Sequence, residues 1–134
     1  MEDFKLMQLA VEARKRSYSP YSGFRVGAAL LGKSGKVYTG CNVENAAYSP
    51  TNCAERTAVF KAVSEGEKEF SAIAIVGGKG ENPTELCAPC GVCRQVLAEF
   101  CEPDFRILLG TPETMKTYTL SQLLPCSFGK NDLE

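Results

Sequence analysis

The sequence contains no histidine. That absence removes Ser-His and Cys-His hydrolases, His-ligated metals and histidine general bases. Proton transfer near neutral pH must then fall to a carboxylate, a thiol, a lysine, a tyrosine or a metal-bound water. Neither a Gly-x-x-x-x-Gly-Lys-Ser/Thr nor a Gly-x-Gly-x-x-Gly sequence occurs, so phosphate-cradling functions have no support. There is no basic run, and the formal net charge is −1. Such a balance gives no electrostatic reason to bind nucleic acid or a membrane surface. No apolar run approaches the roughly 20 residues that cross a bilayer. The opening residues, Met1-Glu2-Asp3-Phe4-Lys5, are polar and acidic rather than basic and then apolar as in a secretory signal. A cytoplasmic location is expected.

What the chain does have is ordinary in bulk and unusual in detail. Its 134 residues suit a single domain, 1–134, with a real core. Apolar content of 44% and charged content of 23% are those of a globular protein. Seven cysteines is a high and odd number. Without an export signal, metal-binding or catalytic thiols are a stronger reading than a disulfide framework.

Periodicity and turn residues predict the elements. Residues 3–17 read as a helix, with Leu6, Leu9, Ala10 and Ala13 on one face and Glu12, Arg14, Lys15 and Arg16 on a polar face. Residues 24–31 and 36–42 read as a strand hairpin around Gly32-Lys33-Ser34-Gly35. A second helix runs from Pro50 or Thr51 to Glu65, closed by Gly66, and its apolar residues, Phe60 included, predict burial. Residues 71–76 form a continuous apolar strand, 77–86 a loop, and 91–101 a third helix with Val92, Val96, Leu97 and Phe100 inward. A strand at 105–109, a short helix at 120–124 and a tail complete the chain. Two strands that each follow a helix suggest right-handed parallel crossovers after an antiparallel hairpin. The expected fold is a three-layer α/β/α sandwich with a mixed sheet of four or five strands.

The chemistry concentrates at two helix mouths. Cys90-Gly91-Val92-Cys93 is a C-x-x-C pair, which alone is ambiguous between redox, structural zinc and chance. A zinc ribbon would place a second pair about 15–20 residues away. Instead, a single thiol, Cys53, stands at the start of the preceding helix, with a whole helix and strand between. Three thiolates with a fourth position open is the catalytic zinc pattern rather than the structural one. Glu55, two residues after Cys53, lies on the first helical turn, where it can lean over the metal without binding it. A metal-activated water needs such a group to take and deliver its proton.

Cys53-x-Glu55 followed by Pro89-Cys90-x-x-Cys93 resembles the zinc-deaminase signature, in the version where cysteine replaces the first histidine. The stretches Tyr21 to Ala29, Gly40 to Tyr48, Asn52 to Arg56, Pro89 to Gln95 and Leu123-Leu124-Pro125 are similar, in order, to the small homotetrameric cytidine deaminases. The resemblance implies a cytidine deaminase-like fold and hydrolysis of cytidine and 2′-deoxycytidine to uridine and 2′-deoxyuridine plus ammonia. Cys53, Cys90 and Cys93 would hold one Zn²⁺ per chain, and Glu55 would carry protons from the water to ring N3 and then to the leaving amine. Asn42 and Glu44 would bind the ribose, the N–H of Ala54 the base carbonyl, and the carbonyl of Ala88 the exocyclic amine. Phe24 would pack on the nucleoside. Phe128, Ala46 and Tyr48 would reach into a neighbouring subunit's site in a homotetramer. Arg56 has an electrostatic reason of its own. Three thiolates outweigh the charge of Zn²⁺, and an arginine on an apolar helix needs an anionic partner, so it is expected to hydrogen-bond a ligand sulfur.

Each residue also has a plainer reading. Glu55 at a helix start is a favourable dipole contact, and Phe24 and Phe128 on composition alone are packing residues. Asn42-Val43-Glu44 reads as a strand end. Cys41, Cys101 and Cys126 are expected to be buried small residues, and Cys87 a bystander rather than a fourth ligand. Two other functions compete. One is a non-catalytic zinc module, disfavoured by Glu55 and the missing fourth ligand. The other is a deaminase of nucleic acid or another aminated heterocycle, including the small antibiotic-inactivating deaminases. The charge balance disfavours a polynucleotide.

Overall fold

The computed structural model describes residues 1–83 and 86–134. The elements run α1 (Asp3–Arg14), β1 (Phe24–Gly32), β2 (Val37–Cys41), α2 (Ala54–Ser64), β3 (Phe70–Lys79), α3 (Gly91–Phe100), β4 (Arg106–Leu109), β5 (Lys116–Thr119) and α4 (Leu120–Leu123). A 3₁₀ turn, Lys130–Leu133, ends the chain. The sheet order is β2-β1-β3-β4-β5. β1 is antiparallel to both β2 and β3, β3 is parallel to β4, and β5 returns antiparallel. α2 therefore links parallel strands across β1, and α3 links parallel neighbours. Each of the two helix-linked strands runs parallel to the one before its helix, as expected, and the sheet has five strands.

Alternation within the strands builds two cores. Ala28, Leu30, Ile73, Ile75, Ile107 and Leu109 face α2 and α3. Ala29, Ala72, Ala74, Val76 and Leu108 face α1, with Leu6, Met7 and Ala10. Small residues on that second face let α1 approach closely. A Cβ at Gly27 would lie 2.1 Å from the Ala10 carbonyl oxygen.

The same device seats the helix that carries the site. A Cβ at Gly40 on β2 would lie 2.6 Å from both the Ala54 carbonyl oxygen and the Ala58 nitrogen, the opening turns of α2. These are backbone atoms and can yield only if the helix moves. Gly40→Ala is expected to lower stability by about 1–3 kcal/mol, read from urea unfolding.

Several expectations are corrected. α1 stops at Arg14, and Arg14, assigned to the polar face, is 1% exposed. β3 continues to Lys79, because pairing of Phe24 and Arg25 with Lys79 and Gly78 carries the ladder through two glycines expected in a loop. Residues 84–85 of that expected loop lie outside the described residues. α2 begins at Ala54, with Cys53 as its N-cap. Phe60 on α2 and Val92 on α3 are exposed rather than buried. Cys41 and Cys101 are half-buried and Cys126 is exposed. β5 was not expected as an element.

Candidate metal centre and active site

Cys53 is the N-cap of α2 and Cys90 the N-cap of α3, while Cys93 lies one turn further along α3. Neither N-cap thiol makes a capping hydrogen bond, so both sulfurs remain available to a ligand. The helix N-termini bring partial positive charge to the point where thiolates would gather. The Cys53 and Cys90 sulfurs are 3.7 Å apart, the Cys90 and Cys93 sulfurs 3.4 Å, and all three lie within 4.8 Å of one another. Tetrahedral ligation at about 2.3 Å per thiolate spaces sulfurs by about 3.8 Å. The donor set and its spacing fit zinc. Cys87 is not part of this group. Its side chain instead covers Gly77 beside the Phe24 ring, where a Cβ on the glycine would meet the Cys87 sulfur at 2.7 Å.

The electrostatics favour thiolate at Cys53. A hydrogen bond from Cys93, aided by Arg56, pushes the Cys53 thiol down to about 5. The same bond and burial hold the Cys93 thiol up. Arg56 Nη2 donates to Cys53 Sγ at 3.3 Å, and the contact with sulfur raises the arginine's own pKa. Glu55 is 5% exposed, and burial pushes its carboxyl up to about 7. One turn of α2 therefore presents a thiol, a buried carboxyl and a guanidinium on the sulfur. Ala54, first in that turn, is fully buried, and its N–H has no partner within the helix.

The segments that flank this turn are tied to it. Val43 and Asn52 exchange backbone hydrogen bonds, both 3.0 Å, which sets the strand end beside Cys53. Glu44 accepts from the Tyr21 and Ser22 N–H groups at 2.9 and 3.1 Å and from the Ser22 hydroxyl. Those bonds, the hydroxyl's first, hold its carboxyl below the usual range. Glu44 and Tyr48 share a cavity of about 380 Å³ with Tyr21, Ser22, Asn45 and Thr51. Tyr48 is 74% exposed, adopts φ 63° and meets the Tyr21 ring edge-on at 6.5 Å. Asn42 is spent on the backbone. Its Nδ2 donates to the Phe24 carbonyl at 2.8 Å, and its Oδ1 accepts from the Val26 N–H at 2.9 Å and from Ser17. Phe24 is half-buried, Ala46 and Ala88 are exposed, and Phe128 is 59% exposed on the tail.

Two supporting residues escaped the sequence reading. Arg94 Nε donates to the Pro89 carbonyl at 2.7 Å, and its Nη1 donates to the Leu123 carbonyl at 2.5 Å, so the loop that delivers Cys90 is fixed to the end of α4. Its place directly after the C-x-x-C pair was the available signal. Arg14 donates to four backbone carbonyls, of Arg25, Gly78, Gly80 and Glu81. No local pattern announces it.

Fold and site together define a zinc-dependent deaminase. Comparison with known proteins narrows the class. A family model described as the cytidine and deoxycytidylate deaminase zinc-binding region matches residues 1–109. A cytidine deaminase of Sporosarcina psychrophila is 49% identical over 134 residues, covering 99% of this chain and 96% of that protein. One from Halalkalibacterium halodurans is 48% identical, covering 99% and 98%. The crystal structure of a cytidine deaminase from Burkholderia pseudomallei superposes with a TM-score of 0.87 at 44% identity, covering 96% of this chain and all of that one. The chain belongs to the cytidine and deoxycytidylate deaminase family and is a zinc enzyme. Among the described residues, no helix is long and apolar enough to cross a membrane.

Proposed function

We propose that residues 1–134 act as one deaminase domain that converts cytidine and 2′-deoxycytidine to uridine and 2′-deoxyuridine with release of ammonia, in pyrimidine salvage in the cytoplasm. One observation carries this reading: the buried carboxyl of Glu55 stands two residues from a thiol that belongs to a three-cysteine cluster fit for zinc. Zinc, when bound by Cys53, Cys90 and Cys93, supplies a polarised water at neutral pH. Glu55 takes a proton from the attacking water and gives it to N3 of the ring; it then takes the proton of the hydroxyl newly attached to the ring carbon and gives it to the amine, which leaves as ammonia while the carbonyl forms. A carboxyl raised toward neutrality can both accept and donate at pH 7. The Ala54 N–H orients the base carbonyl and the Ala88 carbonyl the exocyclic amine, while Phe24 packs on the nucleoside.

Glu44 receives the ribose hydroxyls, held for the task by Ser22 and the Tyr21-Ser22 backbone. Asn42 contributes by tying the strand end to Phe24 and shares at most part of its amide with substrate, since both ends already have backbone partners. The outward placement of Tyr48 and Phe128, with Ala46 beside the first, supports a homotetramer in which these residues complete a neighbour's site. A stable, active monomer in light scattering would refute that sharing.

Arg56 offsets thiolate charge. Arg56→Ala is expected to lower activity or zinc affinity by about 10- to 100-fold, and unchanged zinc content with unchanged turnover would remove the role. The whole reading is tested by following cytidine loss in the ultraviolet alongside metal analysis. No turnover by a preparation with one zinc per chain would sink it.

A further inference from the structure

Two adjacent side chains on α3 hold the C-terminal tail at separate points. Arg94 Nη1 donates to the Leu123 carbonyl at 2.5 Å, and Gln95 Nε2 donates to the Phe128 carbonyl at 2.8 Å. Between them the chain turns through Cys126, a non-glycine residue with φ 53°. A left-handed conformation of this kind persists only where the surroundings impose it. The tail arches over a hollow of about 560 Å³ against α3, and Leu124 and Cys126 are among the residues lining it. Beyond Phe128 the chain closes at once into the 3₁₀ turn, where the Gly129 N–H donates to the Asp132 carboxylate at 2.8 Å. Phe128 is thus the large apolar residue exposed on a short arch held at both ends, and its own carbonyl is one of the anchor points.

We propose that Gln95 is a positioning residue for the deamination reaction, acting by fixing the Phe128 backbone so that the ring is presented toward a neighbouring subunit's nucleoside. The proposal rests on the reading that Phe128 completes a partner's site. Gln95 follows the ligand Cys93 by two residues on the same helix, so the presented ring is referenced to the mouth of α3, where two of the three thiols stand. Without the amide donor, the arch keeps its Arg94 foot and loses the one at the ring. The ring would then be ordered at binding instead of beforehand, and that cost would be paid in substrate affinity rather than in the chemical step.

Gln95→Glu is the sharpest probe, because it keeps the shape of the side chain and replaces the donor with a group that can only accept. In the zinc-loaded enzyme, KM for cytidine should rise by about three- to tenfold, the effect of one lost hydrogen bond. kcat, zinc content and Tm should stay near the wild type. Gln95→Lys, which restores a donor, should recover part of the KM. Phe128→Ala should raise KM on its own, and the double variant should be no worse than Phe128→Ala, since Gln95 acts only through that residue. If Phe128→Ala raises KM while Gln95→Glu leaves it unchanged, or if the two effects multiply, the positioning role is overturned and the shared site stands. If Phe128→Ala leaves KM unchanged, the shared-site reading fails and the positioning role falls with it.

Discussion

Glu55→Gln will lower kcat for cytidine by about 10²- to 10⁴-fold, the range expected when a positioned proton carrier is removed. It will leave one zinc per chain, because the metal cluster is made of the three thiols and does not include the carboxyl. The isosteric amide keeps the volume at a site that is 5% exposed, so packing is not disturbed. Stability gives a second readout with a definite sign. Burial raises the carboxyl from its ordinary 4.5 to about 7, so the folded state binds more protons than the unfolded state between those values. The contribution of Glu55 to stability is therefore fully present below pH 4.5 and is lost as pH rises through 7. The amide has no such loss, and the variant should be at least as stable as the wild type at pH 8. Retention of kcat within about threefold in a zinc-loaded Glu55→Gln preparation would remove the proton-carrier assignment.

The legible and the hidden parts of this molecule divide along a physical line. The grouping of Cys53, Cys90 and Cys93 was readable because each is local to a helix start, and thiol chemistry restricts what their spacing can mean. Arg56 was readable from charge alone, and its contact with Cys53 at 3.3 Å is where that argument placed it. β5 was not readable. Lys116-Thr117-Tyr118-Thr119 is short and polar, with Lys116 and Thr117 exposed and Tyr118 and Thr119 half-buried, and it pairs as a strand with the edge of β4. Gly77 and Gly78 read as breakers for the same reason in reverse: their strand conformation is supplied by β1. Apolar residues occupy most faces of α2, so periodicity offers no single inner stripe there and Phe60 falls on the solvent side; Val92, in the first turn of α3, is an apolar residue on an exposed face. The hydrogen bonds that occupy Asn42 depend on residues 16 to 25 positions away, and no window of sequence reports them.

Arg14→Met will lower the stability of the protein by about 3–5 kcal/mol, a large share of the roughly 5–15 kcal/mol that holds a domain folded. The argument starts from burial. A guanidinium that is 1% exposed has lost its water, and burial lowers its pKa, yet it remains the charged form that donates. No carboxylate pairs with it among the described residues. Its compensation comes from four carbonyl oxygens: Arg25 at 3.1 Å, Gly78 at 2.7 Å, Gly80 at 2.8 Å and Glu81 at 2.9 Å. Those oxygens converge because the backbone turns at Gly80, φ 85°, a conformation that a side chain would oppose. Methionine preserves the apolar stem but donates nothing, so the buried Gly78 carbonyl and the part-buried carbonyls of Arg25, Gly80 and Glu81 lose their donor, at about 1–3 kcal/mol for each that water cannot reach. Arg14→Lys should fall between, since an ammonium has three donors for four acceptors and lacks the planar fork. Urea unfolding of the zinc-loaded protein reads both variants, and a loss under about 1 kcal/mol for Arg14→Met would show that the loop satisfies its own carbonyls. Arg25 adjoins Phe24 on β1, and Gly78 lies on β3, so the same four bonds that stabilise α1 against the sheet also tie the start of β1 to the end of β3.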